Sequence, residues 1–94
     1  VKRPNAIYGD MKGFIQVSMG NYIPIEDIHM ILAYQSRKSA AMRKSYGANG
    51  KVLDLTKGKK AKSMILLKNS WYLVICAYRA DTLANRVSQW KFGK

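Results

Sequence analysis

The stretch VLDLTKGKKAKSMILLKNSWYLVICAY, Val52 to Tyr78, decides the fold. Its apolar runs VLDL, SMILL and WYLVICAY are short and bounded by turn formers, the pattern of three successive strands. TKGKKAK, Thr56 to Lys62, reads as a hairpin loop between the first two, and Asn69-Ser70 as a tight turn between the last two. The loop carries four lysines in seven residues around Gly58. Four ammonium groups repel one another, so their placement at a chain reversal points to a counter-charge outside the chain.

Upstream, GFIQV (Gly13 to Val17) alternates like a half-buried strand, and Met19-Gly20-Asn21 turns the chain into YIPI. Pro24 removes a backbone donor there, which makes this piece an edge or an irregular crossing. From Ile28 to Tyr34 a third strand is expected, with Ile28, Met30, Leu32 and Tyr34 on one face. Ser36 is placed to cap a helix over Arg37 to Ala48, with Ser39, Met42 and Tyr46 on one side and Arg37, Ala40 and Lys44 on the other. Gly47 and Asn49-Gly50 end it. Downstream, Asp81 caps a last helix whose apolar stripe is Leu83, Val87 and Trp90, and Arg86 suits the negative end of its dipole. The order is ββ-β-α-βββ-α, an α+β fold with a small, mainly antiparallel sheet of five to six strands and two short helices. The chain reads as one domain over residues 1–94, with 1–12 an N-terminal arm and 13–90 the folded part. Two short helices are too few to cover both faces of SMILL and WYLVICAY, so some of that surface is expected to be buried between copies in a homo-oligomer.

Of the 94 residues, 48% are hydrophobic and 23% charged, an ordinary globular balance. The sign of the charge is not ordinary. Seventeen Lys and Arg against five Asp and Glu give a net +12 and a pI near 10.1, which points to a polyanionic partner. Nine basic residues but one acid, Asp54, lie between Arg37 and Lys62, so eight of the twelve net charges fall in that span. The lone Cys76 reads as a buried small hydrophobe in a reducing cytoplasm. VKRPNAIYGD has no apolar core of a signal peptide, and no run approaches a membrane span, so a cytoplasmic protein is expected.

Catalysis has little to stand on. His29 is the only histidine, the acids are scattered without readable spacing, and one Cys with one His makes no metal-ligand set. Gly58 in KGKK is not a phosphate-binding P-loop, which needs G-x-x-x-x-G-K-[ST]. No enzyme activity, cofactor, metal or small-molecule substrate is expected. Tyr22 and Tyr34 near strand ends have the chemistry to stack on bases, but core packing is the preferred reading. The candidate contacts are therefore Lys57, Lys59, Lys60 and Lys62 of the loop with Arg37 and Lys38 of the preceding helix. Lysines are point charges without a planar fork, which suits phosphate backbone better than base edges. Pattern alone leaves open double-stranded DNA, RNA or an acidic protein surface.

From Phe14 to Ser88 the chain resembles the RemA family of small bacterial regulators of extracellular matrix genes. The resemblance lies in FIQVSMGN with its strand and G-N turn, in GKVLDLT (Gly50 to Thr56), in GKKAK (Gly58 to Lys62) where the family has G-R-R-T-R, and in RADTLANRV (Arg79 to Val87). It implies a DNA-binding transcriptional regulator that closes into a ring and presents its basic loop outward, with the family's paired arginines falling on Lys59 and Lys60. Another contact arginine of the family falls on Asp27, whose charge repels phosphate. Lysine for arginine keeps the charge but weakens bidentate recognition, so affinity is expected to come mainly from the backbone.

Overall fold

A computed structural model describes residues 13–68 and 71–92. β1 (Phe14–Ser18) and β2 (Asn21–Pro24) form a two-stranded antiparallel hairpin, and a 3-10 turn at Ile25–Asp27 leads into β3 (Ile28–Ala33). Then follow α1 (Ser36–Ala48), β4 (Val52–Asp54), β5 (Ser63–Leu67), β6 (Leu73–Cys76) and α2 (Ala80–Phe92). β3 to β6 make a second sheet in the order β3-β5-β6-β4. The α+β class and the order of elements are as the sequence predicts, and the expected turn at Asn69-Ser70 and the arm over 1–12 lie outside the described residues.

The loop is not a hairpin. β4 runs parallel to β6, with Val52 opposite Leu73, while β5 pairs antiparallel with both β3 and β6. Thr56 to Lys62 therefore passes over the end of β6 to join strands on either side of it. Strands lie about 4.8 Å apart, so the connection has to bridge roughly 10 Å, beyond a tight turn but easy for this segment. The sequence cannot distinguish these cases, because a crossover and a hairpin loop use the same turn residues.

Both faces of the central strands are covered within one protomer. On one face Ile65, Val74 and Cys76 meet Ile15, Val17 and Ile23 of the hairpin and Leu83 of α2. On the other, Met64, Leu66, Leu73 and Ile75 meet Met42 and Tyr46 of α1. The reason for expecting some of SMILL and WYLVICAY to be buried between copies is thus corrected for β5 and β6: it overlooked the β1–β2 hairpin, which works beside α2 as part of a lid, while Trp71 stays half exposed. The apolar groups left exposed lie at edges and ends, among them Met30 on β3 and Leu53 on β4.

Local details show why. A bulge between Ile28 and Met30 breaks the period-two face, so Ile28 and Ile31 pack with the hairpin side and Leu32 and Tyr34 with the α1 side. α1 begins at Ser36 with Gln35 as its N-cap, and the Ser39 hydroxyl accepts the Gln35 N–H at 2.6 Å, in place of the expected Ser36 cap. α2 begins at Ala80, so Asp81 sits in its first turn and not at the cap. Arg86 does not serve the helix end: it lies 4.5 Å over the Tyr78 ring and donates to the Gln16 carbonyl at 2.8 Å, tying α2 to β1.

Cys76 is fully buried, and burial pushes its thiol up to about 11. Only thiolate is nucleophilic, so the folded protein is expected to resist alkylation at pH 8 for hours and to react within minutes in denaturant. Rapid labelling of native protein, followed by mass spectrometry, would show that the β6 end opens.

Candidate nucleic-acid interface

The sheet topology collects charge at one end. The C-terminal ends of β3, β4 and β6 and the N-terminal end of β5 lie together, since Ala33 faces Ser63, Ser63 faces Cys76 and Asp54 faces Ile75. From that end emerge the first turn of α1, the lysine loop and the first turn of α2. Arg37 and Lys38 are exposed in the first turn of α1, which contains no acid. Cations there oppose the positive end of the helix dipole, each at about 0.3–1 kcal/mol. Intramolecular stability does not explain the arrangement; an external anion would.

The loop is held at its base and exposed at its tip. Asp54 Oδ1 accepts both the Thr56 N–H at 2.9 Å and the Thr56 hydroxyl at 2.6 Å, and Asp54 Oδ2 pairs with Arg43 at 2.7 Å. The Thr56 hydroxyl, then its N–H and the Arg43 guanidinium, hold the Asp54 carboxyl below its ordinary value. The nearest acid in sequence is thereby occupied, and Arg43, held above its ordinary value by Tyr34 and Asp54 beside it, is withdrawn from the free cations. Lys57 and Gly58 take left-handed φ of 54° and 84°, which lets the chain double back to a Lys59 N–H to Thr56 carbonyl bond of 3.0 Å. At the other root Lys62 donates its N–H to Cys76 and accepts from Tyr34 through its carbonyl, at 2.9 and 3.1 Å.

The candidate lysines therefore differ. Lys59 and Lys60 are exposed at the tip. Lys57 is exposed but its ammonium donates to the Met19 carbonyl at 3.1 Å, strapping the loop to the β1–β2 turn. Lys60 and Lys62 line an open groove of about 530 Å³ with Ala33, Tyr34, Arg79 and Asp81. Arg37 and Lys38 do not line it; they stand in the first turn of α1, a few residues after Tyr34.

Arg79 was not among the residues expected from sequence. Its Nε and Nη2 each lie 3.0 Å from an oxygen of Asp81, a two-pronged pair. Asp81 is held below its ordinary value chiefly by that hydrogen bonding. The signal was legible only as R-A-D spacing, common enough on surfaces to pass unnoticed.

Asp27 is placed elsewhere. It precedes Ile28, which pairs with Leu67 at the far end of the β3–β5 ladder from Ser63, and its carbonyl accepts the Lys68 N–H at 2.7 Å. Five strand steps of about 3.4 Å put it roughly 17 Å from the loop end of the sheet. Within one protomer it is not part of the lysine cluster. His29 lies near it, edge-on to Trp71 at 5.6 Å between centroids. Among the described residues no group of three or more His, Cys, Asp or Glu is placed to hold a metal, and no helix is long and apolar enough to cross a membrane.

Several known bacterial proteins are similar to this chain over most of its length. A protein of Thermosipho melanesiensis named "Putative regulatory protein" is 29% identical over 79 residues, covering 84% of this chain and 83% of its own. A namesake from Thermotoga neapolitana is 29% identical over 76 residues, 81% and 82% of the two chains, and one from Desulfotalea psychrophila is 23% identical over 83 residues, 88% and 73%. These names point to regulation, not catalysis. Residues 14–87, which run from β1 through most of α2 and include the whole lysine loop, match the family described as extracellular matrix regulatory protein A-like, and the chain belongs to this RemA-like family.

Proposed function

We propose that this protein is a cytoplasmic, non-enzymatic transcriptional regulator that binds double-stranded DNA through the loop end of its sheet, with Lys59 and Lys60 on phosphates and Lys62, Arg37 and Lys38 extending the patch. The observation that carries the reading is the convergence of these cations from separate elements at one end, while Asp54 and Asp81, the acids nearest them, are each occupied by an arginine. Positive potential is left uncompensated over a surface broad enough for a duplex backbone. The family's regulatory character supports DNA over a protein partner.

A ring of copies is part of this reading. β3 and β4 are opposite edges of the four-stranded sheet, and each exposes an apolar side chain, Met30 and Leu53. Two different surfaces, each suited to cover the other, generate a ring when the rotation closes. Repetition would let weak lysine patches act on one duplex at high effective concentration.

The test is competition between duplex DNA and RNA of equal length for the purified protein, with its size determined in solution. Preference for DNA by an oligomer is expected. Preference for RNA would replace the partner, and a monomer at micromolar concentration would remove the ring. Asp27→Arg adds a check on assembly, since it swings the charge by two units at the end remote from the loop. Several-fold tighter binding is expected as neighbouring copies bring that end to the duplex, and unchanged binding confines the interface to the loop end.

A further inference from the structure

A lysine patch explains affinity better than it explains choice of sequence. Ammonium groups contact phosphates equally on every sequence, whereas discrimination between bases needs donors at fixed positions, most often an arginine fork on guanine. Of the four arginines among the described residues, two are committed elsewhere, Arg43 to Asp54 and Arg86 to Tyr78 and the Gln16 carbonyl, and Arg37 stands on α1 outside the residues that line the groove. Arg79 differs in three respects. Its side chain is 71% exposed. It lines the same groove as Lys60 and Lys62. Its guanidinium is fixed through Nε and Nη2 by both oxygens of Asp81, which leaves Nη1 and the outer hydrogen of Nη2 without a role in that pair.

The mounting is rigid. The Arg79 carbonyl accepts the first helical bond of α2 from the Leu83 N–H at 3.1 Å, and the Leu83 side chain is fully buried. Asp81 stands in the first turn of the same helix. A carboxylate beside a phosphate-binding groove weakens anion binding unless it has another use, and orienting a planar donor is such a use.

We propose that Arg79, positioned by Asp81 at the lysine groove, is the residue through which this protein discriminates DNA sequence, its outer N–H pair donating to the O6 and N7 acceptors of a guanine in the major groove. This rests on the DNA-binding reading above. Arg79 supplies the selectivity that lysines at 59 and 60 lack, and Asp81 trades some affinity for it.

The experiment selects duplexes from a randomised pool with the parent protein, then measures affinity for the best sequence and for its scrambled version at one salt concentration. Arg79→Lys keeps the charge and is expected to lower the ratio of the two affinities about tenfold while leaving the scrambled duplex within about twofold. Asp81→Asn is expected to tighten the scrambled duplex, having lost an acid, and yet to lower the ratio. A purely electrostatic pair gives the opposite: Asp81→Asn tightens both duplexes equally and Arg79→Lys changes neither, which overturns the proposal, as does a pool that yields no preferred sequence. Lys59→Ala with Lys60→Ala separates the two levels. That variant is expected to weaken both duplexes alike with the ratio kept, and a failure to weaken either rejects the loop-centred DNA reading itself.

Discussion

Replacing Lys59 and Lys60 together with alanine is expected to weaken duplex DNA binding about thirtyfold at 0.15 M salt. Each phosphate contact contributes about 0.9 to the slope of log K against log salt. At 0.15 M that is worth about fivefold in K for each contact and about thirtyfold for two, while the slope itself falls by about 1.8. Repetition in a ring multiplies the loss, because every copy forfeits the same two contacts. Both side chains are exposed at a loop tip whose geometry is set from its base, by Asp54, Thr56 and the backbone bonds of Lys62. Thermal stability is therefore expected to hold, or to rise slightly as repulsion is relieved. Binding that keeps its strength and its salt slope in the double variant would place the interface elsewhere on the molecule.

What the sequence reveals of this site follows from which interactions are local. Lysines crowded into seven residues are visible without a fold, and so are the helix faces: Ser39, Met42 and Tyr46 do line the inner side of α1. The pairing of Asp54 with Arg43 joins residues eleven apart through a helix and a strand, and it decides that the acid in the basic span does not neutralise the loop. No spacing rule predicts that. Strand order is similarly hidden, since β4 reaches β6 in parallel only because α1 carries the chain across the sheet to the other edge. The β3 bulge had the same effect on a smaller scale, moving Ile28 off the face that strict alternation assigns to it. Arg79 enters the groove through a third long-range fact, the packing of α2 against the core, which brings a residue seventeen positions from Lys62 alongside it.

That packing can be tested through Leu83→Ala, for which the largest stability effect is expected. Leu83 is fully buried, and on its face of the sheet it is the α2 side chain enclosed by Ile15, Val17, Ile23, Ile65, Val74 and Cys76. These come from two strands of the hairpin and two of the sheet, so the neighbours cannot all collapse into the space left behind. Leucine truncation at such a site costs about 3 kcal/mol, a large share of the roughly 5–15 kcal/mol that holds a domain together. In a domain of this size that lowers the midpoint of thermal unfolding by about 12–24 °C. Met19→Ala, at a side chain 73% exposed, is the control and is expected to stay within about 0.5 kcal/mol. The same substitution separates seating from charge. Measured well below its lowered midpoint, Leu83→Ala should bind DNA with an unaltered salt slope, since no phosphate contact has been removed, while its preference between selected and scrambled duplexes declines as the first turn of α2 loosens. A loss under about 1 kcal/mol would mean that α2 is only lightly held, and a guanidinium mounted on a lightly held helix could not be kept in register with a base edge.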